Sequence, residues 1–430
     1  MKRILRIACC GILLFLTGCA AIPEIDSDWI NQILYTPTPA PAKTVTSTPQ
    51  PAQSTQSATG QPKPSDSEPK ILRIWLPPQF NPNTNNTAAA LLKQRLNNFE
   101  AEHPGLEIDV RIKAEDGEAG LLNSLSVTSM AAPGALPDLV ALPRHALEDA
   151  AHKALVQPLG DISAEEQNSD WYPYARELAK VDGTEYGIPF AGNASVIIYR
   201  PDLVWIKTWD DILLSEGHLI FAGADSQAEL GLTLYMSAGG ELLDAQGNPG
   251  LDQEILTQVL ELFSKGRAAE LFPDAATNLS SDDQVLQEYR ARRADMAIVH
   301  FSSYNASQDG LVQPLMGLKE DHFTFVTGWM WALAGQNPEN RQLARELAEF
   351  LTADNFLAPW IKEIDYLPTS LSTTDRSDDS PVPAVIEAAQ PIPSDDILLE
   401  LGPVMQEAVT RVLSGEQPET VARSVVEELK

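Results

Sequence analysis

FEAEHPGLEIDVRIK, Phe99 to Lys113, contains a change of period that decides the fold. Upstream of it, Leu92, Leu96 and Phe99 recur at helical spacing, which predicts a helix over about Ala88 to Ala101. His103-Pro104-Gly105 stops that helix, since Pro has no amide hydrogen and Gly admits turn dihedrals. Downstream, Leu106, Ile108, Val110 and Ile112 alternate strictly, the two-residue period of a strand.

The same alternation of periods runs outward in both directions. Ile71 to Leu76 is apolar on both parities, as in a strand buried on both faces. Leu139 to Leu142, Val196 to Tyr199, Leu219 to Ala222 and Met296 to His300 read as further short strands, with helical patterns between most of them. Asn337, Pro338 and Glu339 suit the start of a helix whose stripe is Leu343, Leu347, Phe350 and Leu351. Ser372 to Ser394, rich in Asp, Ser and Pro, reads as a loop. The end, from about Asp396 to Lys430, reads as helical with a break near Gly415 and Pro418. Strands alternating with helices predict an α/β fold with mainly parallel sheets.

Before this folded part the character of the chain changes twice. Thr36 to Lys70 is dominated by Pro, Thr, Ser, Gln and Ala, too poor in large apolar side chains to offset its ordering entropy. It reads as a tether, with a reach of about 30 Å as a coil and about 110 Å as extended polyproline II. Further upstream, Lys2, Arg3 and Arg6 precede a short apolar run from Ile7 to Leu16, which ends at Leu16-Thr17-Gly18-Cys19. That junction resembles the lipobox of bacterial lipoproteins. The resemblance implies a signal peptide over 1–18, a lipid (diacylglyceryl and palmitate) on Cys19, and a tether over 19–70 at the extracytoplasmic face of the cell membrane.

The chain holds 60 acidic and 30 basic residues, a formal charge of −30, and loss of Lys2, Arg3 and Arg6 takes this to −33. Such a surface repels nucleic acid and anionic headgroups. Of three cysteines, Cys9 and Cys10 lie in the apolar run and Cys19 at the junction, so the folded part has no disulfide and depends on its core.

A series of motifs in the folded part resembles family 1 extracellular solute-binding proteins, the sugar-binding lipoproteins of ABC importers. FEAEHPGLEIDVRIK opens the series. LPDLVAL (Leu136 to Leu142), LVQPLGD (Leu155 to Asp161), DGTEYGIPF (Asp182 to Phe190), IIYRPDL, KTWDDIL (Lys207 to Leu213), SAGGELLDAQGNPGLD, TGWMWALA and YLPTS follow in order. One departure is ARRADM, where Arg292 and Arg293 stand at positions where the family commonly has small or single basic residues. The resemblance implies a periplasmic-binding-protein-like fold: two lobes with mainly parallel sheets, joined by crossings near Asn193, Trp329 and Tyr366. Lobe 1 would comprise 71–192 and 330–365, and lobe 2 would comprise 193–329 and 366–430. A ligand would be held where the lobes close, and an ABC permease would be the partner. A monomer is expected.

A sugar site needs aromatic platforms and planar polar side chains on loops at strand ends. The candidates are Trp75 and Phe80 after the first strand, and Arg144 and His145 after the Leu139 strand. Phe190 and Asn193 stand at the first crossing, His300, Phe301 and Tyr304 after the Met296 strand, Trp329 at the second crossing and Tyr366 at the third. Trp329 and Tyr304 are the strongest platforms, whereas Trp75 suits a core equally well and Phe80, Phe190 and Phe301 suit a core better. His145 and His152 share a helix face but lack a third ligand nearby, so no metal is expected. Trp331 and Asp138 read as structural, Thr208-Trp209-Asp210 as a helix cap with a packing Trp, and Asp282-Asp283 and Asp378-Asp379 as solvated faces.

No GxSxG, HExxH, phosphate loop or CxxC is present, and no cofactor is implied. Three functions remain: a transport receptor serving a permease, a tethered sensor or scavenging module without one, and a surface glycan hydrolase, against which stands only the lack of two carboxylates placed in one cleft. The lipobox reading is tested directly: mass spectrometry is expected to find a diacylglyceryl Cys19 at the mature N-terminus, and Cys19→Ser to leave the protein unprocessed or released. An unmodified N-terminus elsewhere would refute it.

Overall fold

In the computed structural model, which describes residues 69–160, 170–203, 206–304, 310–319, 322–377 and 380–429, the period change at Phe99 is realised as read. The helix Thr87–Glu102 buries Leu92, Leu96 and Phe99, and the Asn86 side chain caps it by accepting from the Ala89 amide. The lipobox, Cys19, the tether and the Asp378-Asp379 pair lie outside the described residues.

The strands are β1 (Lys70–Leu76), β2 (Leu106–Ile112), β3 (Leu139–Pro143), β4 (Lys180–Val181), β5 (Thr184–Glu185), β6 (Gly187–Tyr199), β7 (Leu219–Ile220), β8 (Met296–His300), β9 (Leu311–Pro314), β10 (Thr324–Leu333) and β11 (Ala389–Pro391). Nine of them form one sheet, seven in the order β2-β1-β3-β10-β6-β8-β7 with β11 on β10 and β9 on β6, while β4 and β5 pair separately. β1 runs parallel to β2 and β3, and β7 parallel to β8. The antiparallel pairs are made by the long strands β6 and β10 and by β9. β6 pairs with β10 along its first half and with β8 and β9 along its second, so one strand serves both parts of the sheet.

The core follows the sequence pattern. β3 is buried at every position, and β1 buries Leu72, Ile74, Trp75 and Leu76. Burial on both faces is what a parallel strand covered by helices requires. Asp138 is buried and accepts the Arg73 amide at 2.8 Å, a strand-entry device. Thr208 and Asp211 form a capping box, and Trp209 is buried with its indole donating to the Met316 carbonyl at 3.0 Å. The final helices are Asp395–Leu413 and Pro418–Glu428, broken at Gly415, whose φ is 107°.

Three expectations change. The stretch expected as a loop over Ser372 to Ser394 contains the helix Val382–Ala388 and strand β11. Pro381 and Pro383 disguise this helix, yet a helix's first turn tolerates Pro, and Val385 supplies a buried contact. The Val196 strand is longer than expected, because Pro189 and Gly192 interrupt its pattern without interrupting its pairing. The Leu219 strand is shorter, ending at Ile220.

Three segments meet where β6 and β10 touch. Gly192 and Gly328 are direct partners in the β6–β10 ladder. On the other edge of Gly192, its amide donates to the Leu367 carbonyl at 2.8 Å and its carbonyl accepts the Leu367 amide at 2.7 Å. A Cβ on Gly328 would lie 2.3 Å from the Ala191 carbonyl oxygen, and one on Gly192 would lie 2.6 Å from the Tyr174 hydroxyl. Backbone oxygen cannot retreat as a flexible side chain can. Gly328→Ala is therefore expected to destabilise by about 1–3 kcal/mol through overpacking, read as a lower urea midpoint at unchanged m-value. An unchanged midpoint would show the contact is not tight.

Candidate functional site

Two helices start, and one strand ends, at the same place. The helix Glu229–Ser237 begins after Asp225, whose carboxylate accepts the Gln227 amide at 3.1 Å and the Glu229 amide at 3.0 Å. The helix Asp282–Arg290 begins with Asp282 and Asp283 in its first turn, where acidic side chains complement the helix dipole. β8 ends at His300 between them.

His300 holds both helix starts. Its Nε2 lies 3.1 Å from Glu229 Oε2 and its Nδ1 3.1 Å from Asp282 Oδ2. Its backbone amide donates to the same Asp282 oxygen at 2.9 Å, and the Ser303 hydroxyl donates to it at 2.7 Å. The Ser195 hydroxyl on β6 donates to Glu229 Oε1 at 2.6 Å. With a carboxylate on each ring nitrogen, both nitrogens act as donors and the ring is an imidazolium. Burial alone would lower the His300 pKa, but Glu229 and Asp282 override it and hold it well above the ordinary value. Burial would likewise raise the two carboxyls, but His300 and the hydroxyl donors hold both below their usual range.

This cluster forms part of the wall of a cavity of about 760 Å³. Arg144, His145 and Glu148 line it from the helix Arg144–His152, and Glu115 and Asp116 from the turn after β2. Ile392, Pro393, Asp395 and Leu398 line it from the chain after β11. A smaller chamber of about 240 Å³ shares His145, Asp282, His300, Ser303 and Thr327 with it and adds Asn193, Trp329 and Tyr366. Arg144 is turned into the protein: it pairs with Glu148 and donates to the Leu178 carbonyl at 3.1 Å and the Lys180 carbonyl at 2.5 Å. Asn193 is held at both ends of its amide by Ser302, at 2.9 Å and 3.1 Å. Burial and the neighbouring Glu115 raise the Tyr366 pKa, and the side chains of Trp329, Ser302 and Gln79 oppose that rise.

Of the sequence candidates, Arg144, His145, Asn193, His300, Trp329 and Tyr366 line these chambers. The other five do not. Phe80 and Phe190 belong to an aromatic cluster, with ring centroids 5.4 Å apart, and Phe190 stacks on Trp331 at 4.6 Å. Trp75 is buried in β1 with Lys113 over its ring at 4.7 Å. Phe301 and Tyr304 sit in and after the turn Phe301–Ser303, which sends Ser303 to the cavity and the aromatic rings to the core. The Tyr304 hydroxyl donates to the Gly310 carbonyl at 2.8 Å. Trp329 lines the smaller chamber but is only 4% exposed, packed on Phe80 at 5.2 Å. His145 and His152 are partnered separately, by Asp116 at 3.3 Å and Asp182 at 3.2 Å.

Asp282 corrects an expectation: it is not a solvated face but a partner of His300 in the cavity wall. Glu229, Asp225 and Ser195 were absent from the sequence candidates. Their meeting with His300 depends on the sheet bringing distant segments together.

Residues 81–355 match the family described as bacterial extracellular solute-binding protein. The mannitol-binding protein of Pseudomonas aeruginosa is 30% identical over 121 residues, 28% of this chain and 27% of that protein, so the chain matches about a quarter of that relative's length. Among solved structures, maltose-bound MalE3 of T. maritima superposes with a TM-score of 0.65 at 18% identity, over 84% of this chain and 98% of that one. The cyclic alpha-maltosyl-1,6-maltose binding protein of Arthrobacter globiformis gives 0.68 at 14% identity, over 84% and 99%. A solute-binding protein of Thermotoga lettingae bound with alpha-D-tagatose gives 0.64 at 18%, over 84% and 98%. These likenesses establish a two-lobed, periplasmic-binding-protein-like α/β fold. With well over half of its length matched by the family, the chain belongs to the bacterial extracellular solute-binding proteins.

Proposed function

We propose that this protein captures a sugar or oligosaccharide in the cavity at His300 and delivers it to an ABC permease, from a lipid anchor at Cys19. The two lobes would be 71–192 with 330–365 and 193–329 with 366–430, closing over the ligand by bending where Gly192, Gly328 and Leu367 meet. The observation that carries this is the cavity itself: about 760 Å³, within the usual range for small-molecule sites, and rich in fixed hydrogen-bond acceptors. Carboxylates held by His300 and Ser195 cannot rotate freely, so a sugar's hydroxyls would meet acceptors already in place. The side chains of Trp329 and Tyr366 would supply the apolar contact for a ring's C–H face. The names of the relatives support a carbohydrate or polyol: mannitol, maltose and tagatose are what those proteins bind.

The reading requires binding without turnover. A thermal-shift screen of sugars and polyols is expected to find a stabilising ligand, about 2.7 kcal/mol at 100 times its Kd, and chromatography to return that ligand unchanged. Release of a smaller saccharide would make the protein a hydrolase. Trp329→Ala is expected to weaken binding about 30-fold, or about 2 kcal/mol. Because Trp329 packs on Phe80, the same change should cost about 3–5 kcal/mol of stability. Calorimetry normalised to the folded fraction separates the two, and full affinity in that fraction would remove Trp329 from the site.

The His300 cluster carries a pH signature. A raised histidine pKa contributes stability that is complete below the unfolded value of about 6.5 and is lost as pH rises through the elevated folded value. The lowered Glu229 and Asp282 contribute above their unfolded values and lose that contribution only in acid. The stability gap between wild type and His300→Gln is therefore expected to be widest at about pH 5 to 6.5. It should narrow as pH rises past neutrality, as measured by urea midpoints across pH. A gap independent of pH would show that His300 is not charged.

A further inference from the structure

We infer that the solute taken by this cavity carries positive charge, as a polyhydroxylated amine such as an amino sugar does. The inference rests on the cavity being the solute site and adds the charge of its ligand. Eight of the 25 residues lining the cavity are Asp or Glu, against 60 of 430 in the whole chain, so the lining is more acidic than the protein's composition alone would make it. None of the 25 is Lys, and only Arg144 is Arg.

The cations present are already engaged. Arg144 faces Glu148 and two backbone carbonyls. His300 is shared between Glu229 and Asp282, one positive charge for two negative ones. His145 lies beside Asp116 at 3.3 Å. Glu115, Asp225, Asp283 and Asp395 are left with no cation within ion-pair distance among the described residues. Glu115 accepts a hydrogen bond from the neutral Gln79 amide at 2.9 Å, and Asp225 from two backbone amides. Burial pushes the carboxyls of Glu115, Asp225 and Asp395 up, and the nearby charges of His145, His300 and Lys153, none of them in an ion pair with these carboxylates, offset it only in part.

A neutral sugar can satisfy lone pairs on these carboxylates but leaves their charge in place once water is expelled. A sugar phosphate or sugar acid would be repelled. An ammonium group both donates hydrogen bonds and supplies the missing charge. A bare metal ion fits less well, because among the described residues no three His, Cys, Asp or Glu side chains converge as metal ligands.

The test compares isosteric pairs by calorimetry on the purified full-length protein at low ionic strength. The probes are glucosamine, galactosamine and mannosamine with their β-1,4 or α-1,4 dimers, each against its N-acetylated and its hydroxyl counterpart. Amines are expected to bind at least tenfold more tightly than their neutral counterparts, with affinity falling as salt is added. Asp225→Asn keeps one of the two capping acceptors, and Glu115→Gln keeps the side-chain length. Each is expected to reduce amine affinity about tenfold and neutral-sugar affinity by a smaller factor, so that the preference for the amine falls at least threefold. Neutral sugars binding as tightly as their amines, or both variants binding amines normally, would overturn the charge inference and leave the carbohydrate reading standing. Stabilisation by Ca²⁺ or Mg²⁺ alone would overturn it in favour of a metal site. No binding by any amine or neutral sugar would overturn both.

Discussion

Everything at the site is positioned through the contact of Gly192 with Gly328. Two strands normally keep side chains between themselves and the next layer. Here the absence of a Cβ on both partners lets Tyr174 lie against Gly192 and the Ala191 carbonyl against Gly328. Leu367 completes the arrangement by bonding the free edge of Gly192. The Tyr174 hydroxyl then donates to the Pro368 carbonyl, tying the third segment down again one residue later. Immediately beyond the glycines stand Asn193 on β6, Thr327 and Trp329 on β10, and Tyr366 on the third segment. The smaller chamber is thus the space left where three backbones pass side by side.

From there the second half of β6 carries order outward to the charges. Ser195 pairs in register with His300 across the β6–β8 ladder, so the donor to Glu229 and the imidazolium that binds Glu229 are neighbours by strand pairing. The cluster is asymmetric in charge and symmetric in geometry. Both ring nitrogens have a carboxylate at the same distance, and each carboxylate has a hydroxyl donor besides. Removing the ring would leave two carboxylates close together at the starts of two helices. Truncating one partner of such a pair costs far more than the pair is worth in isolation, because the remaining charge is stranded.

The sequence made the layers legible and left the site half legible, for one reason. Strands and helices announce themselves by local periods, so β1, β2, β3 and β8 and the helices Thr87–Glu102 and Pro338–Thr352 lie close to where the pattern puts them. What failed locally was Pro and Gly used against their usual meaning. Pro189 sits inside a paired strand, and Pro381 and Pro383 flank a helix start. At the site, residues at strand ends were legible as candidates, but facing was not. Phe301 and Ser303 are two residues apart, yet a single tight turn sends one to the core and the other to the cavity. Glu229 and Asp225 gave no signal at all, since a helix start becomes part of a site only when the sheet brings a histidine to it. The family resemblance indicated which crossings would meet, but composition could not show that a pair of acidic residues at Asp282 would be drawn inward.

The two walls of the cavity also differ in what they tolerate. Behind Trp329 and Tyr366 lies a packed aromatic cluster of Phe80, Phe190 and Trp360, in which any volume change is felt. Around Asp225, Glu115 and Asp395 the wall is polar, partly buried and short of countercharge. Water supports these carboxylates while the cavity is open, because high dielectric weakens their mutual repulsion. Expelling that water raises the cost of every carboxylate left without a partner. If the lobes close as proposed, closure without a ligand would be opposed by the same groups that would hold a ligand, and a solute supplying their missing donors and charge would remove the opposition. On that proposal, selectivity and closure would become one electrostatic condition, set by the acidic wall and kept in register by the glycine contact.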